Sequence, residues 1–111
     1  MSCLSKEYRL NTQRDFSKLY KSGKSWHTPS FVAFFNLQTT TKIAFVASKK
    51  VGNAVARNLA RRRMRAVLLT YDNKIKNGNY IFVAKSSIKD RNFIELKKDF
   101  DFAIKRLELL K

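Results

Sequence analysis

Apolar residues recur along this chain with two different periods, and residues that terminate regular structure separate the stretches. Thr12-Gln-Arg-Asp15 sets a hydroxyl three residues before an acid, the arrangement that opens a helix; Phe16, Leu19 and Tyr20 follow at helical spacing and Gly23 closes it. After Pro29 comes the run Ser30 to Leu37, and after a Thr-rich turn the run Lys42 to Ser48; both are aromatic or β-branched and of strand length, and they predict an antiparallel pair. From Asn53 to Tyr71 neither Pro nor Gly interrupts a stretch of Ala, Arg, Leu and Met, all good helix formers. At 100° per residue this helix carries Ala56, Ala60, Met64, Val67 and Tyr71 on one side, with Arg57, Asn58, Arg61, Arg62 and Arg65 expected opposite. Tyr80 to Ala84 predicts a third strand after the Lys76-Asn-Gly-Asn79 turn. Asn92-x-x-Glu95 caps a last helix with the stripe Phe93, Leu96, Phe100, Ala103, Ile104 and Leu107.

The order helix, strand, strand, helix, strand, helix predicts an α+β fold, a two-layer sandwich in which helices cover one face of a sheet more than the other. One further strand is left unresolved by the pattern. In the first strand Phe31, Ala33, Phe35 and Leu37 share one face and Val32, Phe34 and Asn36 the other, so both faces carry aromatics. That leaves two alternatives open: a sheet covered on both sides, or an open aromatic platform for unpaired nucleotides. With 111 residues, three Gly, one Pro and no repeat, residues 1–111 are expected to form a single domain.

Charge adds the partner class. The chain holds 24 Lys and Arg against 8 Asp and Glu, a net charge of +16 that is self-repelling until a polyanion neutralises it. No Asp or Glu occurs between Phe16 and Tyr71, the span that holds the arginine-rich helix. Met1 to Leu10 lacks the apolar core of a signal peptide and no run approaches a membrane span, so a cytoplasmic protein with no membrane partner is expected. The single Cys3 can form neither an internal disulfide nor a multi-cysteine metal site.

The stretch Ser48 to Arg65 joins a loop to a helix. Lys49 and Lys50 end a strand, Gly52 permits a tight turn, and Asn53 caps a helix whose N-terminus attracts phosphate. Arg57, Arg61 and Arg65 follow at i, i+4 and i+8, spanning about 12 Å along the helix, flanked by Asn58 and Arg62. Arginine forks suit phosphates, and Asn58 can add neutral hydrogen bonds. A merely solvated basic face is the plain alternative, but no acid stands at i±4 to pair with these arginines.

Here the chain resembles the protein subunit of bacterial ribonuclease P, whose Lys-Lys-x-Gly-Asn-Ala-Val-x-Arg-Asn-Arg signature is similar to the run from Lys49 to Asn58. The likeness extends to the early Arg14-Asp-Phe16 helix ending in Gly23, the Phe-rich strand, and the late strand and helix. The resemblance implies a ribonuclease P protein-like fold with a left-handed βαβ crossover, an exception to the usual hand. It implies that the large RNA subunit, with its Mg²⁺, hydrolyses the bond joining the 5′ leader to precursor tRNA, while the protein carries no catalytic residue, metal or cofactor. By the same resemblance Lys49, Lys50, Asn53, Arg57, Asn58, Arg61, Arg62 and Arg65 lie on or near the catalytic RNA. A leader-binding cleft would be lined by Phe16, Tyr20, Val32, Phe34, Val46 and Ser48.

Three positions depart from the family pattern: Leu59 replaces the second motif arginine, Arg63 replaces an apolar residue, and Ala44 stands where Gly is usual. Arg63 falls toward the packed flank of the wheel, where its stem must snorkel or its charge must find RNA. A protein-only nuclease needs a positioned acid, base or metal cluster, whereas this chain has one His, His27, and scattered acids. The runner-up is another structured-RNA binder, ribosomal or assembly-related, which has no reason to carry the signature. A DNA-reading helix-turn-helix would present base-reading side chains where this helix presents almost only arginines.

Overall fold

The strand that begins at Phe31 sorts its side chains strictly by parity: Phe31, Ala33 and Phe35 are buried, while Val32, Phe34 and Asn36 are half-buried. A computed structural model describes residues 19–21, 23–71 and 73–111. The named elements are β1 (Lys24–His27), β2 (Phe31–Leu37), β3 (Lys42–Val46), α1 (Ala54–Leu69), β4 (Gly78–Ala84), a 3-10 turn (Ser86–Asp90) and α2 (Phe93–Arg106). Residues 19–21 are helical. The start of the helix expected from Thr12 lies outside the described residues. Its stop is visible, since the Gly23 amide donates to the Leu19 carbonyl at 2.9 Å. A Cβ at Gly23 would stand 2.6 Å from that oxygen, so this close approach needs glycine.

The strands form one mixed sheet in the order β1-β2-β4-β3. β2 runs antiparallel to β1 and to β4, and β3 runs parallel to β4. The expected antiparallel pair of β2 with β3 is therefore incorrect: β4 lies between them. The connection from β2 to β3 crosses the end of β4, held by Asn77, whose side chain accepts from Thr41 Oγ1 at 3.1 Å and donates to the Thr39 carbonyl at 3.4 Å. A tight turn between neighbours in sequence is the commoner solution, but here β3 takes the edge of β4 that β2 leaves free, and α1 supplies the crossover that a parallel pair requires.

β1 is the strand that the hydrophobic pattern left unresolved. Lys24-Ser-Trp-His27 has one large apolar residue in four, too little alternation to register. The tertiary structure makes it a strand through the turn to β2. Buried Thr28 donates its hydroxyl to the Phe31 carbonyl at 2.9 Å and accepts the Phe31 amide at 3.0 Å.

Both long helices cover one sheet face. Ala60, Met64, Val67 and Leu68 of α1 and Leu96, Phe100, Ala103 and Ile104 of α2 are buried with Phe31, Phe35, Tyr80 and Phe82 in one cluster. Phe31 packs 4.4 Å from Phe100 and 5.7 Å from Phe82, centroid to centroid. The expected capping box at Asn92 and Glu95 is formed, whereas Phe93, placed in the apolar stripe by its spacing, is half-exposed at the first helical position. Within the core Asp99 is buried but fully engaged. It accepts from the Ser30 hydroxyl and from Arg91 Nε and Nη2 at 3.1 and 2.9 Å, tying the start of β2 to α2.

Candidate nucleic-acid interface

The loop after β3 is pinned at both ends and open in its middle. Ala47 and Val51 are buried, and between them Ser48, Lys49 and Lys50 are exposed. The Val51 amide donates to the Ser48 carbonyl at 3.0 Å and the Gly52 amide to the Lys49 carbonyl at 3.2 Å, which closes the turn. Gly52 has φ +146°, a conformation that L side chains rarely adopt. Asn53 then caps α1, its side-chain oxygen accepting the Ala56 amide at 3.0 Å, and the first turn contains no acid. Two lysines are thereby presented beside the positive end of a helix.

The arginines do not all occupy the outer face. Asn58 and Arg62 are exposed as expected, but Arg57, Arg61 and Arg65 are half-buried. The reason is Leu68, which joins the buried set and lies eleven residues from Arg57, within about 20° of it on the wheel. The i, i+4, i+8 row therefore runs along a flank of α1. At its far end Arg65 sits over the ring of Phe45 in β3, 5.7 Å from the centroid. Arg61 Nη2 donates to Asn58 Oδ1 at 2.6 Å, and Arg57 Nε is buried without a hydrogen-bond partner. Among the described residues the ion pairs are those of Arg91 with Glu95 and Asp99, and none reaches α1. Arg63, on the opposite flank, neither extends to solvent nor is left to seek RNA. It donates to the carbonyls of Ile88, at 2.9 Å, and Arg91, around the end of the 3-10 turn. Leu59 stands 51% exposed, so an apolar group occupies the outer position of the missing motif arginine.

The second sheet face lies on the other side of β3 from the core. Register aligns Phe34 with Ile81 and Ala44, and Val32 with Val83 and Val46, in two rows across three strands. Leu19, Ala44 and Ile81 are buried together, with Phe34, Val46 and Val83 half-buried against them. The Tyr20 ring meets Phe34 edge-on, centroids 4.8 Å apart. Burial raises the Tyr20 phenol above its ordinary range, so it is protonated at neutral pH. The structure thus brings Tyr20, Val32, Phe34 and Val46 to one face. Ser48 is exposed two residues beyond Val46, past the end of the strand, and Phe16 lies outside the described residues. Ala44 does face this side, as a Gly-to-Ala tightening requires. Of the two alternatives for the sheet, neither is complete: among the described residues Leu19 and Tyr20 pack on this face, and Val32, Phe34, Val46 and Val83 are half-buried. Sequence reasoning missed Leu19, Ile81 and Val83. Their alternation in β4 was visible, but only the register assigns them to this face and not the core.

Among the described residues no three His, Cys, Asp or Glu come together as a metal site, and no helix is long and apolar enough to cross a membrane. Residues 4–108 match the family model described as Ribonuclease P. The chain belongs to the ribonuclease P protein family. The Ribonuclease P protein component of a Nitratiruptor species is 37% identical over 99 residues, covering 89% of this chain and 91% of that protein. That of Streptococcus pyogenes is 28% identical over 109 residues, covering 96% and 92%. The solved RNase P protein of Staphylococcus aureus superimposes with a TM-score of 0.85 at 25% identity, covering 94% of this chain and 98% of that one. The RNase P protein from Thermotoga maritima shares the fold, with a TM-score of 0.78 at 24% identity over 88% of this chain and 96% of its own. This chain is accordingly the protein subunit of a ribonucleoprotein endoribonuclease that processes the 5′ leader of precursor tRNA, and it associates with the ribonuclease P RNA.

Proposed function

We propose that this subunit holds its two RNAs on two adjoining surfaces: the catalytic RNA on the loop and flank of α1, and the substrate's 5′ leader on the second sheet face. The observation that carries this reading is the pairing of unneutralised cations with a half-covered apolar face on either side of β3. Lys49, Lys50 and Arg62, exposed, meet phosphates of the ribonuclease P RNA directly. Arg57, Arg61 and Arg65 present forks already restrained by packing, so less side-chain freedom is lost on contact. The buried, unpartnered Nε of Arg57 gives that residue a further reason to accept a phosphate. Asn53 keeps the helix N-terminus in place, and Asn58 adds a neutral contact.

Tyr20, Val32, Phe34 and Val46 offer unpaired leader nucleotides apolar and aromatic surface at a depth where stacking is strong, with Phe16 and Ser48 extending the cleft. Two of the three acids of α2, Glu95 and Asp99, are already taken by Arg91, which leaves Asp101 without a second carboxylate to share a metal. Mg²⁺ belongs on RNA phosphates, where it supplies the hydrolytic chemistry in the cytoplasm. This chain contributes affinity, orientation and substrate preference.

The test is precursor tRNA cleavage by a bacterial ribonuclease P RNA at low Mg²⁺, with and without this protein, using substrates with one-nucleotide and longer leaders. Restored 5′ processing, with the larger gain for longer leaders, is expected. Equal gains for both would remove the leader contact, and binding of RNA without restored cleavage would return the chain to a general structured-RNA binder.

A further inference from the structure

The edge strand β1 and the outer side of α2 form a second cationic and aromatic surface that neither contact above uses. Trp26 of β1 and Phe102 of α2 stand 6.0 Å apart with rings inclined by 34°. The guanidinium of Arg106 lies over both, 5.4 Å from the Trp26 centroid and 5.3 Å from that of Phe102. Lys98, Phe102 and Arg106 repeat at i, i+4 and i+8, a stripe with the same spacing as Arg57, Arg61 and Arg65, and Lys105 lies beside it. All four are exposed, Phe102 to 52%. The nearby acids are Asp101, half-buried, and Glu108, exposed after the end of α2, and no ion pair among the described residues involves Lys98, Lys105 or Arg106. Along β1 the surface continues to Lys24, which with Lys76 and Leu37 lines a cleft of about 270 Å³ that also holds Glu108.

These features differ from an ordinary solvated helix face in one respect. Contact with two rings holds the Arg106 guanidinium beside Phe102, and no ion pair among the described residues engages it, so a cation stands next to the exposed ring before an anion arrives. Phe102 supplies half of a ring for a base to stack on, and Lys98 and Lys105 supply neighbouring charges. We propose that this surface binds single-stranded RNA, with a base on Phe102 and phosphates at Arg106, Lys98 and Lys105. The inference rests on the chain's work with RNA, but it assigns a separate site. β1 and β3 are the opposite edges of the sheet, three strand spacings or about 14 Å apart. A nucleotide at Arg106 is therefore not one held at Arg65.

Trp26 is the only tryptophan in the chain, so the site carries its own reporter. The full chain is titrated with a ten-nucleotide oligouridylate while tryptophan fluorescence is followed, and thermal melting confirms that each variant is folded. A saturable, salt-sensitive change is expected, with its midpoint moved by about fivefold or more in Phe102→Ala and in Arg106→Gln. In Lys89→Ala the midpoint should stay within about twofold, because that exposed cation of the 3-10 turn lies on neither RNA surface. Failure of the leader contact would appear in the cleavage assay and leave this titration intact. Absence of a Trp26 response, or a midpoint indifferent to both the Phe102 and Arg106 variants, would overturn the proposal. So would a response to protein concentration without RNA, which assigns the surface to a second copy of the chain.

Discussion

The two faces of the sheet are built from neighbouring residues of the same strands, yet one is sealed and the other is half-open. On the first, Phe31, Phe35, Tyr80 and Phe82 are buried beneath α1 and α2. On the second, Phe34, Val46 and Val83 keep part of their surface, and the described cover comes from Leu19 and Tyr20. The residue types barely differ, since a strand that alternates Phe, Ala, Phe against Val, Phe, Asn is nearly as apolar on either side. What differs among the described residues is the cover: two long helices on the first face, and the helical residues 19–21 on the second. Apolar surface withdrawn from water stabilises the fold; apolar surface left at the boundary is available to a ligand.

The comparison fails if the sealed face proves tolerant. Phe82→Ala, in contact with the rings of Phe31, Phe45, Tyr80 and Phe100, is expected to cost about 3–5 kcal/mol in chemical denaturation. A loss below that of an exposed substitution would show that the core is not where the stability resides. On the open face Phe34→Ala should cost less in folding and more in function. Binding of precursor tRNA relative to mature tRNA is expected to weaken by about 1–3 kcal/mol per base unstacked, read from competition between the two substrates. Equal weakening of both would mean that this face does not distinguish the leader.

The smallest expected effect sharpens the boundary between that face and α1. Arg62→Ala, exposed and unpaired, should leave stability within about 0.5 kcal/mol. It should also lower the salt slope of catalytic-RNA binding by about 0.7–0.9 for one lost phosphate contact. An unchanged slope, measured across a salt series, would remove Arg62 from the RNA surface. Arg57→Ala makes a useful companion, because its half-buried stem adds a packing loss that Arg62 lacks.

Much of this was legible from residue order. The helix over residues 54–69, the capping box of Asn92 and Glu95, the strand from Phe31 and the parity of Val32 with Phe34 follow from periodicity and end chemistry. The basic loop and helix were equally visible, because Lys49, Lys50 and the arginines lie in a span without acids. The illegible parts share a cause. Trp26 and its strand, the placement of Ile81 and Val83, and the partial burial of Arg65 over Phe45 depend on which elements are neighbours in space. At 100° per residue Arg57 lies about 20° from Met64, so its place on the flank could be read from the wheel, and the buried Leu68 brings the packed face closer still to it.

By itself the sequence determined the kinds of element, their caps, the two apolar periods and the concentration of positive charge, because these are local properties of neighbouring side chains and backbone torsions. Only the tertiary structure decided that β4 separates β2 from β3, that Arg63 ends on the carbonyls of Ile88 and Arg91, and that Asp99 is buried among partners. It also decided that one aromatic sheet face is closed and the other only half-buried. Those outcomes turn on strand order and helix placement, which are set by the competition of all apolar surfaces for a limited number of covering elements.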